Sequence, residues 1–450
     1  MADITIKLPE TIKLVIDKLE KNGFSAYAVG GAVRDHILGN PADDWDVTTS
    51  ALPEETEKVF SECKVVLTGV KHGTVTVIVG GLPVEITTFR KESGYTDNRH
   101  PDKVEFVDDL AEDLKRRDFT VNSLAYNEKS GLIDLYGGLS DLKNGIIRTV
   151  GDPYERFSED ALRILRAVRF SSKLGFSIEE KTYAAAVELK GRLKNVSAER
   201  IFSELTKTLC GKNVRFALLN YHEIITGIIP EMKPCVGFLQ HSKWHLYDVY
   251  EHIVRSVEAI PPLPELRLAM FFHDIAKPDC FFLKDGEGHF YGHPEPSARK
   301  ADVILRRLKA PTALREEVVF LVKNHDLHLS KSEIKIKKTL NKTGKERFFR
   351  LLEVKKADNA AQGTALAEKE GEEIDKIRNI AEKIIEKGDV YDIKQLKING
   401  DDLIRIGFSG KEIGEETEKI LNACIENRLE NDEKKLKAFA EKDFAKLKRI

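Results

Sequence analysis

The chain has 450 residues, with 72 lysines and arginines against 74 aspartates and glutamates and a formal net charge of −2. This length exceeds what one hydrophobic core usually organises, so several domains in series are expected. The near-zero net charge excludes attraction of a polyanion by overall charge, and a nucleic acid would have to be held by local basic patches.

Cysteine usage and the distribution of apolar residues limit the class of protein further. The five cysteines are scattered and contain no CxxC pair, which is typical of reduced thiols and excludes a disulfide framework. Charged residues run through the N-terminal segment, and no later stretch offers eighteen uncharged apolar residues. We therefore expect a soluble, cytoplasmic protein without a membrane partner.

Residues 1–150 show the turn signals of alternating helices and strands. A first helix is predicted to end at Asn22-Gly23, and SAYAV (25–29) reads as a short strand that Gly30-Gly31 interrupt. A short helix, AVRDHIL (32–38), a strand, WDVTT (45–49), and three β-branched runs complete a small mixed sheet: KVVLT (64–68), TVTVIV (74–79) and PVEITTF (83–89). From about residue 155 the pattern is helical almost without interruption.

Gly30 and Gly31 lie between a predicted strand and a predicted helix. Without side chains, their backbone N–H groups can approach a phosphate, and the helix N-terminus favours its negative charge. Ordinary turn chemistry is the alternative interpretation.

Three carboxylates follow these glycines on predicted strands. Alternation along a strand would place Asp44 and Asp46 on one face, where they repel each other unless a cation lies between them. Mg²⁺ suits such hard oxygen ligands, and the alternative is a solvated edge strand. Glu85, on another strand, could bring a third carboxylate, so the combination indicates two-metal phosphoryl transfer.

Four motifs in a fixed order carry a family resemblance: GGAVRD (30–35) with DDWDVTTSALP (43–53), RRDFTVNSLAYN (116–127), EDALRILRAVRF (159–170) and VSAERIFSEL (196–205). They resemble the class II nucleotidyltransferases, the CCA-adding tRNA nucleotidyltransferases and bacterial poly(A) polymerases, over about residues 20–240. The resemblance implies an α+β fold, in which a small mixed-sheet head like that of polymerase β precedes an elongated all-α remainder. The implied domains are a head (1–150), a neck that recognises the base (151–235), a body (236–365) and a tail that binds tRNA (366–450).

The resemblance also implies roles for individual residues. Asp44 and Asp46 would bind the catalytic Mg²⁺ ions, with Glu85 as the further catalytic carboxylate, and residues 90–106 would form a mobile loop. The residues expected to bind the nucleotide are Gly30, Gly31, Arg34, Arg116, Arg117, Asp118, Asn122, Asp160, Arg163, Arg166 and Arg169.

Asp160 and Arg163 are predicted to read the base. Three apart on a helix, they would face the same way and offer an acceptor beside a forked donor. Cytosine and adenine each present an amine next to a ring nitrogen acceptor, whereas uracil and guanine would leave a carbonyl facing the carboxylate. Selection of CTP and ATP without a template is the hypothesis; a surface ion pair is the alternative.

A second metal site is predicted from histidines and aspartates in the order H…HD…D, in YDVYEHIV (247–254), FFHDIAKP (271–278) and LVKNHDLHL (321–329). Imidazole and carboxylate can hold a divalent cation that activates water for phosphoester hydrolysis. The order resembles the HD phosphohydrolase superfamily, which implies His252, His273, Asp274 and Asp326 as ligands. Asp358 is a rival for the last position, and GHFYGHP adds His289 and His293.

Two lysine-rich segments, 331–356 and 434–450, could neutralise RNA phosphates. The resemblance implies that body and tail hold the acceptor and T arms of tRNA by shape. The predicted function is template-independent addition of CCA to the 3′ end of tRNA. The alternatives are a poly(A) polymerase, a CC- or A-adding enzyme, or an HD-type phosphohydrolase acting on RNA ends; the oligomeric state stays open.

Overall fold

The computed structural model describes residues 4–42, 44–94, 103–242 and 244–448. The chain divides into two compact units: Met1–Pro230 with Arg307–Lys309, and Glu231–Arg306 with Ala310–Ile450. The first boundary falls close to the predicted end of the neck at residue 235. The finer division into head, neck, body and tail stays a prediction.

The first unit contains the predicted mixed sheet. Its strands are β1 Ala26–Val29, β2 Asp46–Thr49, β3 Lys64–Val66, β4 Thr74–Val79, β5 Leu82–Thr88, β6 Arg90–Ser93, β7 Lys103–Phe106, β8 Leu124–Asn127 and β9 Gly131–Asp134. Seven of them form one sheet in the order β3-β4-β5-β2-β1-β8-β9. Within that sheet β2 and β5 are parallel and the other neighbours antiparallel. All five predicted strands are confirmed.

Short helices surround this sheet and continue beyond it. They are α1 Glu10–Lys21, α2 Gly31–Ile37, α3 Pro53–Val59, α4 Leu110–Lys115, α5 Gly138–Asn144, α6 Pro153–Glu159, α7 Leu162–Leu174, α8 Glu180–Leu189, α9 Ala198–Leu209, α10 Val214–Asn220 and α11 His222–Ile228. A parallel pair of short strands, β10 Ile146–Ile147 and β11 Ser177–Ile178, lies among them. The helix α1 buries the apolar face that its spacing predicts, Ile12, Val15, Ile16 and Leu19, and ends before Asn22-Gly23 as expected.

The predicted mobile loop at 90–106 is structured at both ends. The strands β6 and β7 pair antiparallel, from Arg90 opposite Phe106 to Ser93 opposite Lys103. Residues 95–102 lie outside the described residues. The described part of the segment is therefore a strand pair rather than an irregular loop.

Among its described residues, the second unit has one strand pair, the hairpin of β12 Phe282–Lys284 and β13 Glu287–His289, and otherwise helices with their connections. Its helices are α12 Val249–Ala259, α13 Pro264–Phe272, α14 Pro294–Arg307, α15 Thr312–Asn324, α16 Glu333–Thr343, α17 Lys345–Ala361, α18 Ala365–Glu386, α19 Gly400–Ile406, α20 Lys411–Ile425 and α21 Glu433–Leu447. No helix in the described part of the chain combines the length and apolar character needed to cross a membrane.

Candidate active site and a second ligand cluster

A small cavity of about 200 Å³ opens where β2 and β5 pair, and it contains both acidic and basic side chains. The parallel register places Asp46 directly opposite Glu85, so their side chains project from the same face of the sheet. Arg90, Arg116 and Arg117 also line the cavity. Carboxylates and guanidinium groups thus converge on a space that a phosphate could enter.

The surroundings of Asp46 contain too little positive charge to keep the pKa of its carboxyl group at the ordinary value. Burial raises the pKa of Asp46 to about 6; Arg117 opposes this rise, and Asp44 and Glu85 add to it by repulsion. Asp44 is exposed and precedes β2, which begins at Asp46. The expectation that the two aspartates alternate along one strand was therefore wrong, because the chain before Asp46 is irregular.

The residues present fit a divalent cation that is only partly held by protein. Asp44 and Asp46 are hard oxygen donors in a site where a cation would relieve repulsion. Among the described residues of the head, no three acidic or imidazole groups have ligand atoms within 4.8 Å of one another. Glu85 therefore neighbours Asp46 without completing a three-ligand set, and substrate oxygens and water would have to fill the remaining positions.

Gly30 allows the close approach of charged side chains to the start of α2. Its backbone has φ 76° and ψ −136°, a conformation that only glycine adopts easily. A Cβ atom here would lie 3.1 Å from Nη1 of Arg117 and 4.0 Å from Oδ2 of Asp46. Because Gly30 has no side chain, there is room for the Arg117 guanidinium beside the cavity.

Replacing Gly30 by alanine is expected to lower nucleotide incorporation about tenfold or more, since the added methyl group displaces Arg117 and strains the backbone. Gly39 is a matched control, because it also has positive φ, 72°, but has open space around its Cβ position. Steady-state incorporation and thermal melting of both variants would separate the two effects. Equal losses of activity in both variants would show that backbone strain alone is responsible.

A buried carboxylate that the sequence analysis missed holds the two arginines of the second motif. Asp113 accepts hydrogen bonds from Nε and Nη2 of Arg116 at 2.9 and 2.8 Å, and Nη2 of Arg117 lies 3.5 Å from it. Thr48 donates to its other oxygen. Burial opposes ionisation of Asp113, but the arginines outweigh it and lower the pKa. The signal was present in EDLKRR, where Asp113 lies three and four residues before the arginines.

Polar side chains from three separate motifs form one continuous chain. Asn122 donates to Asp118 at 2.9 Å, and Arg166 donates to the other oxygen of Asp118 at 2.8 Å. The buried guanidinium of Arg34 donates to Asn122 and to Asp35. Although burial opposes it, the Arg166 ion pair lowers the pKa of Asp118 to about 2. Asp118 and Asn122 are neighbours as predicted, whereas Arg34 is buried and contacts Asn122.

The geometry predicted for Asp160 and Arg163 was wrong. Asp160 ends α6 with extended backbone, and α7 begins only at Leu162, so the two residues do not share a helix. Asp160 binds Nη2 of Arg200 at 2.7 Å and accepts from the backbone N–H of Leu162 at 3.0 Å. Arg163 binds Glu159 at 2.6 Å. A helix break between α6 and α7 thus gives each residue its own partner.

The third and fourth motifs also meet at Arg169. Its Nε donates to Glu204 at 2.6 Å, and its guanidinium lies 4.1 Å from the ring centroid of Phe170. Glu204 is buried and was not singled out from the sequence. With Arg200 on Asp160, this contact joins α9 to the residues that were predicted to read the base.

In the second unit, four predicted or rival ligands form a buried group: His252, His273, Asp274 and Asp358. Nε2 of His252 lies 3.2 Å from Nε2 of His273, 3.3 Å from Asp274 Oδ2 and 3.1 Å from Asp358 Oδ1. Nε2 of His273 lies 3.2 and 3.6 Å from the same two oxygens. Ligands bonded at about 2.0–2.2 Å to a tetrahedral ion would be about 3.3–3.6 Å apart. The group therefore fits a divalent metal.

Asp326 does not belong to this group, and Asp358 takes the position. The Asp326 side chain is 63% exposed and lies 3.5 Å from Nζ of Lys355. His325 points inward, and the next residue along a helical turn points about 100° away from it. His289 lies on the hairpin outside the group, whereas His293 and His325 form a further set with Asp274.

Three family models match separate parts of the chain. Residues 26–148 match the family "Poly A polymerase head domain", residues 175–236 "Probable RNA and SrmB-binding site of polymerase A", and residues 295–440 a domain 2 of tRNA nucleotidyltransferases.

Two CCA-adding enzymes match part of the chain. That of Lactobacillus delbrueckii subsp. bulgaricus is 52% identical over 223 residues, 50% of this chain and 55% of its own. That of Ligilactobacillus salivarius is 54% identical over 207 residues, 46% and 51% of the two chains. The chain thus spans about half the length of these curated relatives.

A solved structure matches nearly throughout. The Bacillus stearothermophilus CCA-adding enzyme in complex with CTP is 29% identical and has a TM-score of 0.74. The match covers 98% of this chain and 99% of the chain of that enzyme. The chain is thus similar to CCA-adding enzymes and poly(A) polymerases, in separate segments by sequence and over nearly its whole length by fold. Its nucleotidyltransferase fold implies the use of a divalent metal.

Proposed function

We propose that this protein adds C, C and A to the 3′ end of tRNA from CTP and ATP, without a template. The observation that carries the proposal is the cavity at β2 and β5, which Asp46 and Glu85 line together with Arg116 and Arg117. The full-length likeness to a CCA-adding enzyme in complex with CTP supports it.

The reaction is nucleotidyl transfer, in which the terminal 3′ oxygen of the RNA bonds to the α-phosphorus and pyrophosphate leaves. We propose that Asp44 and Asp46 hold Mg²⁺, which when bound supplies charge for the triphosphate and lowers the pKa of the attacking hydroxyl. Arg116 and Arg117, oriented by Asp113, bind phosphate oxygens. Gly30 leaves the space in which the triphosphate and Arg117 meet.

We propose that Asp160 and Arg163 select the base. They would do so through the donor and acceptor positions that are not used by their protein partners. Oδ2 of Asp160 accepts one hydrogen bond, from Nη2 of Arg200, so it can still accept a base amine; Oδ1 accepts from the backbone N–H of Leu162 and from Nη1 of Arg200. Arg163 uses its two Nη atoms for Glu159 and two carbonyls, and its Nε–H is left for a ring nitrogen. Asp118, held by Arg166, and its neighbour Asn122 are proposed to hydrogen-bond a ribose hydroxyl.

The RNA is proposed to be held by local positive charge. A cavity of about 760 Å³ beside Arg169 is also lined by Lys173, Lys207 and Lys212, and suits the phosphates of the tRNA end. Fewer basic side chains of the segment 331–356 are available to RNA phosphates than the sequence indicates. Four of them form ion pairs with acidic side chains: Lys337, Lys338, Arg347 and Arg350. Since tRNA is the proposed partner, we place this activity in the cytoplasm.

Incorporation of each labelled NTP, singly and mixed, into tRNA transcripts that end before CCA, after CC, or complete would test the proposal. Stepwise C, C and A followed by arrest is the expected result. Long A tails would identify a poly(A) polymerase, and addition limited to CC or to A would identify a partial enzyme. Either outcome would replace the proposed product while keeping the chemistry.

A second candidate function rests on the buried group at His252, His273, Asp274 and Asp358. Its four ligand atoms suit a divalent cation. When bound, such a cation would lower the pKa of a water molecule, so that hydroxide could attack phosphorus. In the proposed hydrolysis a water oxygen bonds to phosphorus, the ester P–O bond breaks, and the leaving oxygen takes a proton. RNA ends are the proposed substrate. An HD-type phosphohydrolase would work in this way.

Replacing Asp358 by asparagine is expected to weaken divalent metal binding in the second unit about tenfold or more, because a charged ligand is lost. Replacing Asp326 by asparagine should leave it unchanged, since that carboxylate is exposed and outside the group. Equilibrium dialysis against Mn²⁺, with Asp44→Ala and Asp46→Ala present to remove head binding, measures both. If metal binding were weaker only in the Asp326 variant, Asp326 rather than Asp358 would be the fourth ligand, as the sequence predicted.

A further inference from the structure

Phe170 of α7 is a buried aromatic residue with three arginines beside its ring. The guanidinium carbon atoms of Arg169, Arg34 and Arg166 lie 4.1, 5.1 and 5.4 Å from the ring centroid. Only 5% of Phe170 is exposed. A guanidinium positioned over an aromatic ring is attracted by the negative charge of the ring face, and more strongly where water is excluded. One ring thus contacts basic side chains of the first and the third motif.

Each arginine of this group is also paired with a carboxylate. Its Nε donates over 2.6–2.8 Å in every case: from Arg34 to Asp35, from Arg166 to Asp118 and from Arg169 to Glu204. These carboxylates offset the repulsion among three neighbouring cations, but each of them orients a single guanidinium. The ring of Phe170 is a contact that the three arginines have in common.

Two of these arginines hold the residues proposed to bind the ribose. Arg34 donates to Oδ1 of Asn122, and Arg166 donates to Oδ2 of Asp118. Because Arg34 binds the amide oxygen, the amide nitrogen of Asn122 faces Asp118 and donates to its Oδ1 at 2.9 Å. The second N–H of this amide is left for a ribose hydroxyl. A shift of either guanidinium would therefore move a group that the ribose meets.

We propose that Phe170 is a positioning residue for ribose selection: its ring fixes Arg34 and Arg166, and through them Asn122 and Asp118, so that CTP is preferred to dCTP. The inference rests on the proposed function, in which Asn122 and Asp118 bind a ribose hydroxyl. The 2′ hydroxyl can both donate and accept, whereas dCTP leaves these two side chains unpaired. Such a site rejects the analogue strongly only when its polar groups are held in place, since mobile groups can turn to other partners.

Removing the ring face is expected to weaken this selection. Phe170→Leu keeps a buried apolar side chain, but the ratio of kcat/KM for CTP to that for dCTP should fall about tenfold or more. Most of the change should lie in CTP, because dCTP cannot use the lost hydrogen bonds. Phe157→Leu, at a fully buried phenylalanine of α6, is the matched control and should keep the ratio. Incorporation into a tRNA transcript that ends before CCA measures both substrates.

A graded series of rings separates attraction of the cations from packing. Fluorine atoms withdraw electron density from the ring face while changing the size of the ring little, so the attraction weakens with each fluorine. Phenylalanines with one, two and three fluorine atoms, introduced at Phe170 by stop-codon suppression in the full-length protein, should lower the ratio of CTP to dCTP stepwise. The same series at Phe157 should leave the ratio constant.

The outcomes separate this inference from the function on which it rests. A constant ratio across the fluorinated Phe170 series would show that the ring acts by packing alone and would overturn the inference. Asp118→Asn tests the ribose site itself and should lower the same ratio. An unchanged ratio in Asp118→Asn would refute both the ribose site and the role of Phe170. The fluorinated proteins decide the question even where Phe170→Leu fails to fold.

Discussion

Replacing Asp46 by asparagine is expected to lower CTP and ATP incorporation into tRNA by at least about 10³-fold, because the proposed catalytic cation would lose a charged ligand. The Asp44→Ala variant should show a comparable loss. The effect should lie in the rate of the chemical step, since the basic surfaces proposed to bind the RNA do not include Asp46. Single-turnover incorporation and a gel-shift titration with tRNA measure the two quantities separately.

The stability of the Asp46 variant distinguishes a catalytic role from a structural one. Because the folded protein raises the pKa of Asp46 to about 6, the ionised side chain is less favourable in the folded than in the unfolded protein above that pH. Asparagine removes this unfavourable charge, so the melting temperature at pH 7 should stay equal or rise. Glu57→Gln, an exposed acidic residue of α3, is the matched control and should keep full activity. Full activity in the Asp46 variant would refute the proposed site.

Replacing Asp160 by alanine is expected to reduce discrimination of CTP against UTP by about 10²-fold or more, because the acceptor that penalises a carbonyl is removed. The rate with CTP should fall as well, since its amine loses a partner. Competition between labelled CTP and UTP on a transcript that ends before CCA measures the ratio directly.

The partner of Asp160 provides a graded comparison. Arg200→Ala should relax selection less than Asp160→Ala, since the carboxylate remains but loses the contact that orients it. Glu180→Ala, an exposed acidic position at the start of α8, should leave the ratio unchanged. Unaltered selection in the Asp160 variant would show that other residues read the base.

Contacts between residues close in sequence were largely predictable. The strand, Gly30-Gly31 turn and helix lie where the pattern placed them, and Asn122 contacts Asp118 four residues earlier. Such features depend on backbone preferences and helical spacing, which a short stretch encodes. The junction between α6 and α7 was the local exception, since the charged and apolar spacing runs through it as though one helix continued.

The sequence by itself determined the order of motifs, the residue types proposed to bind phosphate and cation, and the change from a mixed sheet to helices. Tertiary structure decided which distant side chains meet: Glu85 reaches Asp46 through the parallel pairing of β2 and β5. It also decided that Asp358 rather than Asp326 joins His252 and His273. Helical periodicity says which residues share a face but not which faces pack together, because that depends on how α12, α13, α15 and α17 bury their apolar sides.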